Sequence, residues 1–130
     1  MGVELAMLVY SAVLAFVLLL IPSTQRVLQY GLAAGVGNRE NPMPLPVWAD
    51  RAFRAQTNLY ESLPIFAIFV LVVHLMSAEN AMTALGAKVF FWARVAHAAV
   101  YIAGIPWIRT LIWLVAVAGM VMVALPLFKM

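Results

Sequence analysis

The chain contains no cysteine, and that one absence removes a group of functions: its own residues can build no disulfide, no thiolate metal site and no cysteine nucleophile. Any thiol chemistry must use a thiol carried by a substrate. Charge is scarce too, at 10% of residues. Histidine occurs only at His74 and His97, without carboxylate company, so no metal site is expected. No nucleic-acid partner is expected either.

What is abundant is hydrocarbon. Of 130 residues, 66% are hydrophobic, and the mean hydropathy of +1.01 lies well above that of soluble domains of this size. A water-soluble fold would have to expose large apolar patches, whereas a bilayer absorbs about 20 apolar residues per spanning helix. The expectation is an all-α membrane protein, a four-transmembrane-helix bundle forming a single domain over residues 1–130. The first apolar run, "LAMLVYSAVLAFVLLLI" from Leu5 to Ile21, has no basic segment before it. The "PSTQR" that follows is a poor cleavage site, so the run reads as a retained helix.

The spans are expected at about 3–30, 47–77, 82–103 and 107–127, with Pro22 kinking the first helix without ending it. "GLAAGVGNRENPMPLP", Gly31 to Pro46, breaks any helix through three glycines and three prolines and is the one long loop. Its "NPMPLP" reads as a rigid connector. Arg26, Arg39, Arg51, Arg54 and Arg109 fall at one end of the spans, while Lys129, Lys88, Glu4 and Glu79 belong to the other. The positive-inside rule then puts the long loop in the cytoplasm and both termini outside it, with Trp48 and Trp107 as interfacial anchors.

Helix two carries unusual polarity into the membrane in "DRAFRAQTNLYESLP", Asp50 to Pro64. At 100° per residue, Arg51, Arg54, Asn58 and Glu61 fall within about 80° of one another, and Gln56 points nearly opposite. Helix two therefore shows one face to each of two pockets, as it would at a subunit interface. On helix three, Arg94, His97 and Tyr101 recur at i, i+3 and i+7 and form a second stripe. Reflection about a turn near Glu79 brings His97 level with Glu61, and Tyr101 level with Thr57 and Asn58. Glu61 lies about 27 Å from that turn, so the polar layer is shallow and near the cytoplasmic edge.

Such polarity can simply join helices by hydrogen bonds. Against this stands the excess of cation, since Arg51, Arg54, Arg94 and Arg109 face only Glu61 and Asp50 at that level of the bundle. Ionisable groups inside a membrane are costly, and an anionic ligand would balance the sum. Six of the eight basic residues are arginine, the side chain suited to forked recognition of carboxylates.

"RAQTNLYESLP" resembles the R-A-(H/Q)-x-N-x-x-E-x-x-P signature of the membrane-associated proteins in eicosanoid and glutathione metabolism, which include the microsomal glutathione transferases. "ARVAHAAVY", Ala93 to Tyr101, and the arginine-bearing turn "GIPWIRTLIW" resemble that family's third and fourth helices. The resemblance spans the whole chain. It implies a homotrimer with glutathione, the co-substrate, held between neighbouring subunits. By position, Arg54, Asn58 and Glu61 would hold its carboxylates and amine, helped by Arg51, Arg94, His97 and Tyr101. Arg26 and Gln56 would come from the neighbouring subunit, and Arg109 would be catalytic, stabilising the thiolate. Ser62 stands where the family's leukotriene synthase has tyrosine, which argues against that particular enzyme.

The implied activity is a glutathione-dependent transferase acting on lipophilic electrophiles that arrive from the bilayer, with hydroperoxide reduction as a further reaction. A bacterial inner membrane is the preferred setting. Two alternatives belong to other classes: a non-enzymatic scaffold that binds glutathione or lipid, and a small multidrug-type transporter. The transporter needs a membrane-embedded acid open to both sides. Glu4 is too near the terminus for that role, and Glu61 sits among arginines that would repel a cationic substrate.

Overall fold

The computed structural model describes residues 2–32 and 44–128, and the described residues form four long helices and no strand. They are α1 (Val3–Tyr30), α2 (Val47–Leu75), α3 (Ala81–Ala103) and α4 (Pro106–Phe128). Most of the connector between α1 and α2, including Arg39 and the start of "NPMPLP", lies outside the described residues, as does Lys129. The Tyr30 hydroxyl donates to Pro44 O and ties the two ends of that connector together. The helix limits agree with the expected spans to within two residues, and Pro22 lies inside α1 as expected.

Three of the helices, α1, α2 and α4, are long and apolar enough to cross a membrane. At 23 residues α3 matches α4 in length, but Lys88, Arg94 and His97 interrupt its apolar sequence. Length suffices for four spans; apolarity alone marks three.

Each helix buries a stripe and leaves large hydrophobic side chains outside, the inverse of a soluble bundle and the pattern lipid requires. On α2 the stripe runs Ala49, Ala52, Ala55, Leu59, Ser62, Phe66, Val70 and Val73, at helical spacing. Its centre is a stacked pair, Phe66 of α2 on Phe90 of α3, with ring centroids 4.0 Å apart. Because lipid supplies no hydrophobic drive between helices, small residues that let backbones approach do much of the joining. Gly86 and Gly119 do so between α3 and α4: a Cβ on Gly86 would lie 2.7 Å from Gly119 O.

Helix ends are closed by local chemistry. Asn80 caps α3 in a reciprocal box with Thr83, its Oδ1 accepting from Thr83 N at 2.9 Å. Gly104 ends α3 at φ 82°, the left-handed conformation that glycine adopts without strain, and Pro106 opens α4. This tight reversal returns the start of α4 alongside the end of α3, where the polar residues lie.

Glu4 has a role that its terminal position concealed. Only 4% exposed, its carboxylate accepts from the Thr83 hydroxyl at 3.0 Å. The bond staples the N-terminus of α1 to that of α3, where a negative charge suits both helix dipoles.

Candidate functional site: an arginine-lined groove

Near the loop end of the bundle, three helices contribute to one polar region. The α2 stripe supplies Arg51, Arg54 and Asn58, α3 supplies His97 and Tyr101, and the first turn of α4 supplies Arg109. They line two adjoining grooves. One, of about 290 Å³, is bordered by Asn58, His97, Tyr101, Arg109, Thr110 and Trp113. The other, of about 320 Å³, has Asp50, Arg51, Arg54 and Gly104 on its walls. Tyr101 and Arg109 belong to both, and the Arg109 guanidinium stands 4.4 Å from the centre of the Tyr101 ring. Tyr101 also meets His97 edge-on at 5.6 Å, so ring, imidazole and guanidinium form one packed row.

Arg94 lies behind this row at 2% exposure and donates from Nη2 to Asn58 Oδ1 at 2.9 Å. A guanidinium can only donate, so the contact fixes the Asn58 amide with its oxygen inward and its NH₂ free for the groove. The pairing joins α2 and α3 about six residues, or roughly 9 Å, from the level that reflection about Glu79 gave. The long arginine stem and the earlier end of α2, at Leu75, account for the difference. Arg94 Nε and Nη1, and His97 Nδ1, are buried and meet no hydrogen-bond partner among the described residues.

The arginines are not equivalent. Arg54 pairs with Asp50 at 3.1 Å, one turn away on α2, and both are well exposed. Arg51 turns toward the end of α3, donating to Ile102 O at 3.4 Å and covering Gly104, where a Cβ would lie 2.5 Å from Arg51 Nη1. It satisfies a terminal carbonyl and places its positive charge at the negative end of the helix dipole. Neither Arg94 nor Arg109 forms an ion pair among the described residues. Glu61 is the acidic charge acting on Arg94, yet it is exposed, lines neither groove and makes no hydrogen bond there. Among the described residues the cation excess read from the sequence is therefore present in space, and of these arginines only Arg54 forms an ion pair, with Asp50.

Arg26 and Gln56 stand elsewhere, in a third groove between α1 and α2 on the far side of α2. Gln56 indeed points away from the arginine stripe, and helix two shows polar groups on both faces. Among the described residues α1 does not pack against α4.

A four-helix membrane bundle with a cation-rich groove at one end is the class of protein that these observations define. Within it, the family model for the MAPEG family matches residues 5–128, nearly the whole chain, and the protein belongs to that family, whose members include glutathione transferases and related membrane proteins. No curated protein and no solved structure matches the chain.

Thr110 and Trp113 stand within "GIPWIRTLIW", where the sequence singles out only the arginine. Both border the groove, and Trp113 lies one turn after Arg109, so its i+4 spacing is the signal that points to it. Gly104 reads in sequence only as a turn, although its missing side chain is what admits Arg51.

Proposed function

We propose that the protein is a membrane glutathione-dependent transferase in which the arginine-lined groove holds glutathione and raises the thiolate fraction of its thiol. The observation that carries the reading is uncompensated charge: Arg109 faces the groove and Arg94 backs it, and neither has an acid partner among the described residues. Glutathione brings two carboxylates and a thiol to such a site. The Arg54–Asp50 pair is exposed, and pairs of that kind are worth about 0–1 kcal/mol, so Arg54 can exchange its partner for a ligand carboxylate at little cost. Asn58 offers its NH₂, and Glu61, with no partner of its own among the described residues, is available for the amine. His97 and Tyr101 form the wall opposite, with Arg51 at its edge.

Arg109 would then stand beside the thiol. A free thiol titrates near 8.5 and is mostly protonated at neutral pH; a neighbouring guanidinium favours the thiolate, and about 1.4 kcal/mol of that attraction raises the acidity of the thiol tenfold. Attack on a lipophilic electrophile forms the thioether, and the electrophile's leaving group departs or its strained ring opens. The same thiolate would reduce a lipid hydroperoxide, with a second glutathione closing the disulfide.

A homotrimer completes the site. The separate α1–α2 groove gives Arg26 and Gln56 a place from which to serve the neighbouring subunit. Since α1 and α4 of one protomer do not pack together among the described residues, a lipophilic substrate passing between those helices would pass between α4 of one subunit and α1 of the next. The long loop and the groove would face the cytoplasm of a bacterial inner membrane, with both termini on the opposite side.

A binding scaffold without turnover is the second reading, favoured by the stacking of Arg109 on Tyr101, which gives that arginine a structural task. Thiolate absorbance on adding glutathione separates the two. The parent should show it, and Arg109→Ala should bind glutathione while losing most of it. Equal thiolate in both would reject Arg109 as the activating group.

A further inference from the structure

On the α2 face opposite the arginine stripe, Gln56 is followed one turn later by Tyr60. Gln56 is only 4% exposed, and its Nε2 donates to the Tyr60 hydroxyl at 3.0 Å. The bond uses one of the two amide N–H groups and holds the amide, with Oε1 free of any hydrogen bond among the described residues. The α1–α2 groove, of about 290 Å³, has Ser23, Arg26, Gln56, Thr57 and Tyr60 as its polar lining. The Thr57 hydroxyl is already spent on Phe53 O at 3.0 Å. Arg26 Nε is buried and has no hydrogen-bond partner among the described residues.

A cationic donor and a fixed carbonyl acceptor in one groove suit a ligand that offers a carboxylate and an N–H close together. That is the chemistry of a peptide terminus. We propose that Tyr60 is a positioning residue of this second half-site, locking Gln56 so that its carbonyl oxygen receives an N–H of the peptide ligand while Arg26 takes a carboxylate. The inference rests on the glutathione reading above and adds a residue at a variable position of the helix-two signature. Tyr60 acts through Gln56: without its hydroxyl the amide rotates freely, and the acceptor must be ordered anew at each binding event.

The test uses the detergent-solubilised full chain, with glutathione binding followed by calorimetry and the thiolate by its absorbance. Tyr60→Phe keeps the ring and removes only a hydroxyl on a half-exposed side chain, so the fold is retained. It should weaken glutathione binding about fivefold, the worth of one ordinary hydrogen bond, with thiolate absorbance at saturation unchanged. Gln56→Glu, which keeps an acceptor toward the ligand while the other oxygen accepts from Tyr60, should bind within a few-fold of the parent. Gln56→Ala should bind at least as weakly as Tyr60→Phe, and adding Tyr60→Phe to it should change nothing further. Parent-like binding by Tyr60→Phe, or Gln56→Glu as weak as Gln56→Ala, would overturn the assignment while leaving the glutathione reading in place. A parent that binds no glutathione overturns both.

Discussion

Replacing Arg94 by methionine should make the empty protein more stable and shrink the further stabilisation that glutathione gives. Arg94 keeps two buried nitrogens without hydrogen-bond partners among the described residues, and each orphaned donor costs about 1–3 kcal/mol, more where the group is charged. Against this stands one bond to Asn58 Oδ1 at 2.9 Å, worth about 1.5–3 kcal/mol for a charged donor. Asn58 is only half-buried, so water replaces its lost partner. Methionine preserves most of the volume, and exchanging a buried charge for a hydrophobe of similar size is often neutral or stabilising. The balance favours Arg94→Met by about 1–3 kcal/mol, or roughly 4–11 °C in the unfolding midpoint of a chain this long. Glutathione should narrow that lead by about 1.3 kcal/mol. At 100 times its dissociation constant a ligand stabilises by about 2.7 kcal/mol, and a tenfold loss of affinity at the same concentration leaves about half of that. Thermal unfolding in detergent, with and without glutathione, reads both effects. An Arg94→Met protein that melts lower than the parent and keeps the full glutathione-induced rise would refute the reasoning. Arg94 would then be a structural cation with no part in binding.

Two further outcomes concern the scaffold. Gly86→Ala places a methyl group 2.7 Å from both Gly119 O and Met122 Cβ, so α3 and α4 must move apart; a loss of about 1–3 kcal/mol should appear in denaturant unfolding. Glu4→Ala removes the acceptor that ties α1 to Thr83 and should cost about 1.5–3 kcal/mol, seen as a lower thermal midpoint with glutathione affinity unchanged.

The elements are legible in the sequence because each limit has a chemical mark: Asn80 with Thr83 for the start of α3, Gly104 and Pro106 for the reversal, and glycine and proline for the long connector. The site is legible as stripes, since angular position follows from sequence number and nothing else. Depth is harder to read. Equal-level pairing assumes parallel rods and short side chains, whereas Arg94 reaches along its helix to Asn58 and Arg51 folds back to the end of α3. Contacts that depend on tertiary approach give no local signal. In sequence Glu4 is an ordinary terminal acid; only the packed helices bring it to Thr83.

Calorimetric titration of glutathione into the detergent-solubilised protein, at low and at high salt, tests the central claim most directly. Anionic recognition by converging guanidinium groups predicts saturable binding that weakens as salt rises. Absence of binding heat, or binding indifferent to salt, would contradict it.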